Sequence, residues 1–446
     1  MKKKYEVFGL FICTFIISSC TRTVDVVSEE NNVVVDHTIP IETALNSLDE
    51  LLNEIGVVTT KGATNDYVEN FFAVCGSSKG TRVSATTGNV IYAVNFKDEK
   101  GYALLAADDR IQEDVLAVVD EGSVSEEDFV LHTGNLAPTN NDDLSESEYY
   151  EMVNSGVLAA GSTKQQINMQ CVNYAEGMLD DRWDNGHDIF SSDNSTYEWK
   201  IIKQVPRMVN TLWTQSTSEH DIFDKYCPEV GLIFKKKAPA GCVCIAVSQI
   251  VAYHEYPSLC CNGVNIDYPS IKQVFRYNNR FYTGSDATKE MLARFTINIG
   301  ALCDIKYHSI FGYNFGFAWP SDAEQCLRSL GYRNVRLDYV YDENLVLNSL
   351  DKGCPVFMSA ISGIISGHAW VVDGYIKREY GSGAGFVADY QTLVHCNWGW
   401  HGDCNGYFTS GIFHTQEAVI SDNISENHDN DYWIGFNTIT YDNPNQ

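Results

Sequence analysis

The rhythm of apolar and polar positions changes three times along the chain. Residues 7–17 are an apolar run behind Lys2, Lys3 and Lys4. The run is shorter than the ~20 residues that span a bilayer. Ser18, Ser19 and Cys20 follow it, so a basic start, an apolar centre and a small-residue exit predict an export signal over 1–20. Residues 21–40 are polar and rich in Val and Asn, a tether. Then Ile41, Ala44, Leu48, Leu51, Leu52 and Ile55 recur at three and four residues, which predicts a helix over 41–55. Residues 89–107 read as a hairpin turning at 97–101, and residues 115–119 as a further strand. Residues 135–200 are clusters of Asn, Asp, Ser and Gly, a linker with weak helices such as 148–158.

The third change falls near Val205. Ala246, Val247, Ile250 and Val251 repeat at helical spacing after Gly241 and Cys242, and Tyr256-Pro257 stops that helix. Further helices are predicted over 289–304, 321–330 and 345–350. Strands are predicted over 356–361, 369–375, 392–398, 406–408 and 432–440. Helices first and strands second mean α+β rather than alternating α/β.

Charge sharpens the division. The chain has 446 residues, and its 31 basic and 59 acidic side chains leave a net charge of −28. That argues against a nucleic-acid partner, whose footprint would be basic. Residues 21–200 hold 10 basic and 33 acidic groups, whereas residues 201–446 hold 18 and 25. The acidity is concentrated upstream. Fourteen cysteines are about 3% of the chain, too few for a disulfide scaffold. Their pairing cannot be read from spacing.

Five positions carry candidate chemistry. Cys242 follows Gly241 and opens a helix, where N–H groups and the helix dipole favour a thiolate. A thiolate is a nucleophile that needs no metal or cofactor. Any lone cysteine is more often a small buried apolar residue, and Cys244 reads that way. His368, in Ser366-Gly367-His368-Ala369-Trp370, stands at the start of an apolar strand and can serve as the base. Asn397, in His395-Cys396-Asn397-Trp398-Gly399-Trp400-His401-Gly402, offers a carbonyl to hold one ring nitrogen of His368. Trp398 can shield that bond. Gln215 can join the Cys242 N–H in an oxyanion hole, worth ~3 kcal/mol per donor.

The order Gln, Cys, His, Asn-Trp is papain-like. The fuller strings resemble the streptopain family of cysteine peptidases. Ala240-Gly241-Cys242-Val243 with Ala246, Gln249-Ile250, Tyr253-His254 and Tyr256-Pro257 is similar to its nucleophile helix. Gly367-His368-Ala369 with Val372-Asp373-Gly374-Tyr375 is similar to its histidine strand, and Gly353-Cys354-Pro355-Val356 to the turn before it. Asn397-Trp398-Gly399-Trp400 with Asn405-Gly406-Tyr407-Phe408 is similar to its closing motif. In some members tryptophan is given the role of the asparagine, so Asn397 and Trp398 both stay candidates. Tyr92 to Phe96, Gly101 to Leu105 and Ala107-Asp108-Asp109-Arg110 with Val115-Leu116 resemble its inhibitory prosegment. Three positions depart from the pattern: residues 216–221 after Gln215, His401 where glycine is usual, and Cys244 where alanine is usual.

The resemblance implies a papain-like two-subdomain fold, a helical half plus an antiparallel sheet half, preceded by a small α+β prodomain. The expected division is 1–20 signal, 21–40 tether, 41–134 inhibitory prodomain, 135–204 linker and processing region, and 205–441 peptidase domain. Ile17-Ser18-Ser19-Cys20 also resembles a bacterial lipobox, which implies export to the cell envelope and a membrane anchor through lipidated Cys20. The implied partners are protein or peptide substrates and the chain's own prodomain. Three other readings stay open: a catalytically silent surface lipoprotein that binds through the same fold, a metal site built from Cys242, Cys244, Cys260, Cys261, Cys396, Cys404, His395 and His401, and acyl transfer of another kind. The cysteine spacings do not match paired C-x₂-C zinc patterns.

Overall fold

The computed structural model describes residues 37–56, 67–75, 88–129, 163–179, 197–215, 222–231, 235–277, 281–310, 313–361, 367–382, 387–413 and 434–446. The export signal, Cys20, most of the tether and the helix expected over 148–158 lie outside the described residues, as do residues 216–221.

The upstream part begins with helix α1 (Ile41–Glu54), whose leucines form one buried stripe. Strands β1 (Val68–Cys75), β2 (Asn89–Phe96), β3 (Tyr102–Ala106) and β4 (Val115–Val119) follow as an antiparallel meander. The stretch expected to be linker contains two ordered elements, helix α2 (Thr163–Met178) and strand β5 (Tyr197–Val205).

Downstream, helices α3 (Cys242–His254), α4 (Tyr268–Lys272), α5 (Asp286–Leu302) and α6 (Pro320–Ser329) come first. Strand β6 (Arg336–Asp338) and helix α7 (Glu343–Asp351) lead to β7 (Val356–Ile361), β8 (Gly367–Ser382), β9 (Val387–Asn397), β10 (Gly406–Thr409) and β11 (Ile434–Thr440). The class is α+β, with a helical half and an antiparallel sheet half. Helix α3 is buried almost all round, as befits the central helix of a core. It packs on Leu292, Phe295 and Ile299 of α5, Ala323 and Leu327 of α6, and Ala369 and Val371 of β8.

Upstream and downstream strands form a single sheet of eleven strands, in the order β1-β2-β3-β4-β10-β9-β8-β7-β11-β6, with β5 on β8. The seam is the antiparallel pair β4–β10, where Val119, Val118 and Ala117 face Gly406, Tyr407 and Phe408. The upstream strands therefore continue the sheet of the downstream half. Gly406 allows this approach, because a Cβ there would run into the Val118 carbonyl. Buried Arg378 adds a tie, reaching Asp114 beside β4 and Gln391 on β9.

Strand alternation sends successive side chains to opposite faces. Phe357, Ala369 and Val371 face α3, whereas Met358, Trp370 and Val372 share a second core with Ile167, Cys171 and Val172 of α2. Helix α1 fills a third cluster against β2, β3, β8 and β9. Strand β8 changes neighbours midway. It pairs with β7 up to Val372 and with β5 from Tyr375. Its register with β9 slips between Val372 and Gly374, a bulge at Asp373 of the kind found beside functional sites.

Candidate active site

Cys242 is the first residue of α3, and the turn before it needs glycine twice. Gly241 has φ +93°, and a Cβ on it would lie 2.9 Å from the Gly316 carbonyl oxygen. A Cβ on Gly316 would lie as close to Pro239 O, at 2.9 Å. Cys242 is half-buried. Burial pushes its thiol above the ordinary value, and the main-chain N–H groups of Ala369, Val243 and Cys242 itself pull it down less strongly. The depression expected from the helix start is thus present but outweighed by desolvation. The Ala369 N–H ties the sulfur to the residue after His368.

His368 sits at the second position of β8, opposite Ala360 of β7, and is buried. Its Nε2 lies 2.8 Å from the main-chain oxygen of Trp398. A carbonyl only accepts, so Nε2 carries the proton and Nδ1 holds the lone pair of the neutral ring. The ring stacks on Trp400 at 4.4 Å between centroids and 26°. Burial lowers the His368 pKa to about 4, with the Trp398 carbonyl opposing.

Asn397 does not hold His368, contrary to the sequence reading. Its Nδ2 donates to Thr211 O at 2.9 Å, and its Oδ1 accepts from Gln249 Nε2 at 2.9 Å and Gly399 N at 3.3 Å. The neighbouring residue, Trp398, meets the imidazole through its backbone. Gln215 is half-buried on the facing segment. Its N–H donates to Gly399 O at 3.2 Å, beside a bridge between Thr214 and Trp400. Gly399 in turn packs against Ile245 of α3, 3.2 Å from where its Cβ would be. Cys242, His368, Trp398 and the Gln215 backbone are therefore joined through contacts of β8, α3 and one turn.

Comparison with known proteins bears on this region. Residues 213–408 match the family model for the Peptidase C10 family. This region is similar to the Peptidase C10 family. Streptopain of Streptococcus pyogenes serotype M28 is 26% identical over 215 residues, which cover 42% of this chain and 49% of the relative. Streptopain of serotype M1 gives the same figures. The chain spans about half the length of the curated relatives it matches. A fragment of Prevotella intermedia prointerpain A aligns with a TM-score of 0.45 at 16% identity, covering 82% of this chain and 98% of that one. Active interpain A of the same organism aligns at 0.36 and 20% identity, over 54% and 95%.

The matched region also holds a buried charged group that the sequence offered only as a metal ligand. His395 of β9 places Nδ1 2.6 Å from Asp373 Oδ1 and Nε2 3.3 Å from Asp120 Oδ2. Asp373, at the bulge in β8, also accepts the N–H groups of Met208 and Val209 at 3.1 and 2.7 Å. Asp120, just after β4, receives Arg207 at 2.6 Å. Burial pulls the His395 pKa down, but the charges and hydrogen bonds of Asp373 and Asp120 carry it up to about 9. The only clue in the sequence was two histidines close to the proposed motifs, with nothing to separate their roles.

Other singled-out residues settle into packing. Cys244 is buried, with Sγ 3.2 Å from Thr296 O. All twelve described cysteines are free thiols. His401 has φ +61° and meets the Tyr282 ring at 6.0 Å, and burial lowers its pKa to about 4. Among the described residues, the ligand-type group that converges is His37, Asp108 and Asp109, not the cysteines and histidines of the metal reading. Asp108 there already pairs with Arg110 at 2.7 Å. No helix among the described residues is long and apolar enough to cross a membrane.

Proposed function

We propose that the chain is an exported cysteine endopeptidase made as a zymogen, with Cys242 as nucleophile and His368 as base. The observation that carries this reading is the tautomer of His368. With Nε2–H committed to Trp398 O, the lone pair of Nδ1 is the one available to a thiol. Cys242 gives its proton to Nδ1, and the thiolate attacks the scissile carbonyl. The oxyanion is met by the Cys242 N–H and the Gln215 amide. Imidazolium then protonates the leaving amine, and water, activated by the same ring, hydrolyses the thioester. No metal or cofactor takes part. Trp398 acts through its carbonyl, and Asn397 holds the turn that presents it.

Two features support latency of the intact chain. Burial favours the neutral thiol and the neutral imidazole together, the opposite of the reactive ion pair. Strand β4 and helix α2 also engage the region that follows His368. Strand β4 pairs with β10, and Ile167 and Gln170 of α2 line a gap with Trp398. Residues 41–134 then act as the inhibitory prodomain. Lys200 and Lys203, basic residues near the end of the expected processing region, lie in β5 paired to β8. Cutting there requires that strand to leave the sheet. Export by residues 1–20 and anchoring through Cys20 belong to the same reading.

The test is mass spectrometry of the chain without residues 1–20, beside its Cys242→Ala variant, under reducing conditions. The wild type is expected to lose a large N-terminal fragment and then to hydrolyse casein, and the variant to do neither. Full casein hydrolysis by the variant would sink the proposal. A processed wild type inert to casein and to iodoacetamide would favour a silent lipoprotein that binds through the same fold.

A further inference from the structure

Gln249 lies seven residues along α3 from Cys242, about two turns, and is fully buried. Most of its neighbours on the helix are apolar. A primary amide in such a place is destabilising unless its hydrogens are bonded. Its Nε2 donates to Thr211 O at 3.3 Å and to Asn397 Oδ1 at 2.9 Å.

The direction of this network is set by two main-chain groups. Thr211 O only accepts, so the Asn397 atom 2.9 Å from it must be the amide nitrogen. Gly399 N only donates, so the Asn397 atom 3.3 Å from it is the oxygen. That oxygen then faces Gln249, which must present its own nitrogen. No alternative assignment of the two side-chain amides satisfies these contacts. Asn397 and Gly399 are the two ends of the turn whose middle residue is Trp398. The Trp398 carbonyl lies 2.8 Å from His368 Nε2. Helix α3 thus touches the catalytic site at two points: its first residue is the thiol, and its eighth grips the turn that orients the imidazole.

We propose that Gln249 is a positioning residue, which sets the orientation of His368 by clamping the Asn397–Gly399 turn to the helix that carries Cys242. The inference rests on the thiol peptidase reading. The nucleophile and the orienter of its base then ride on one rigid element, and any shift of α3 moves both together. A displacement of about 1 Å in such a pair lowers rates by as much as 10²-fold.

The test uses the full chain incubated under reducing conditions until processing is complete. Gln249→Met keeps the side-chain length, removes both donors, and leaves Asn397 bonded to Thr211 and Gly399. With active sites counted by burst titration, kcat is expected to fall about 10- to 100-fold with KM within twofold. In the processed wild type the ion pair with His368 is expected to bring the acidic limb of iodoacetamide alkylation of Cys242 below the ordinary thiol range. In the variant that limb is expected to move back up toward it. Gln249→Glu gives a second readout. A protonated carboxyl donates one bond, whereas a carboxylate faces two oxygens. Its activity relative to wild type is expected to rise as pH falls from 8 to 5. A side chain that only fills space would change the melting temperature and leave these three readouts flat. If kcat stays within twofold, if the loss falls on KM, or if the Gln249→Glu ratio does not vary with pH, the inference fails while the peptidase reading stands. A wild type inert to both peptide and iodoacetamide overturns both. If Gln249→Met does not fold, the pH ratio of Gln249→Glu decides alone.

Discussion

Two buried histidines on adjacent strands of one sheet end in opposite states. His368 on β8 and His395 on β9 are both almost completely covered. Burial lowers the first to about 4. It also pulls on the second, yet Asp373 and Asp120 raise that ring to about 9. His368 meets a carbonyl, which fixes a tautomer without demanding charge. His395 meets two carboxylates, which hold it as a cation. Carboxylates within reach thus decide whether a buried imidazole can move a proton or serves as a fixed charge between elements. The cation is placed where β4, β8, β9 and the segment after β5 converge, so it joins upstream and downstream parts.

The comparison breaks first at the ring meant to react. His368→Ala is expected to lower peptide hydrolysis about 10³-fold, with little change in the denaturation midpoint. His395→Ala in the same assays should show the reverse emphasis, with its main loss in the midpoint. Equal kinetic losses from both would end the distinction. Asp373→Asn removes one partner of a buried pair and is expected to destabilise by about 3–5 kcal/mol, read from urea unfolding.

Titration sharpens the comparison further. His395 has a folded pKa above its ordinary value, so its stabilisation is fully present below pH 6.5 and is lost as pH rises through 9. His368 is depressed, so its contribution is present above pH 6.5 and is lost as pH falls through 4. Midpoints measured from pH 3 to 10 should fall on both sides, and His395→Gln should flatten the alkaline side alone. The smallest effect is expected from Asp120→Asn. It removes the 3.3 Å contact to His395 and the 2.6 Å pair with the exposed Arg207, about 1 kcal/mol, and should start the alkaline fall at lower pH. No movement of that limb would mean that Asp373 alone holds the charge.

What could be read in the chain beforehand follows the range of each interaction. Helix α3 and strands β7 to β11 announce themselves through apolar periodicity, a local signal. Helix α2 does not, because Gln166, Asn168 and Gln170 are buried beside its apolar residues. Those polar groups find partners far away in sequence, such as Tyr102 and the Ile412 carbonyl. Strand β1 is mostly exposed, with Phe71 open to solvent, so it lacks a clear alternation. Cys242 and His368 stand out in the sequence because each lies at the start of an element. Between the two candidates Asn397 and Trp398, the sequence does not show which one meets His368, because the contact is made by a main-chain carbonyl, which has no residue type to betray it. The His395 charge depends on Asp120, 275 positions away, which no local pattern reports.

If the chain is processed as proposed, the β4–β10 seam governs what the remaining sheet exposes. Strand β10 is flanked by β9 on one side and β4 on the other. Removing β4 leaves one edge of β10 bare, with alternate N–H and C=O groups, those of Tyr407 among them, facing water. Such a rim is a template for any extended peptide, a second molecule included. Gly406, with no side chain to keep a visitor at a distance, leaves that rim unusually approachable. On the zymogen proposal, the segment removed on maturation would therefore also guard against adhesion, and its loss would exchange a silent molecule for one prone to stick.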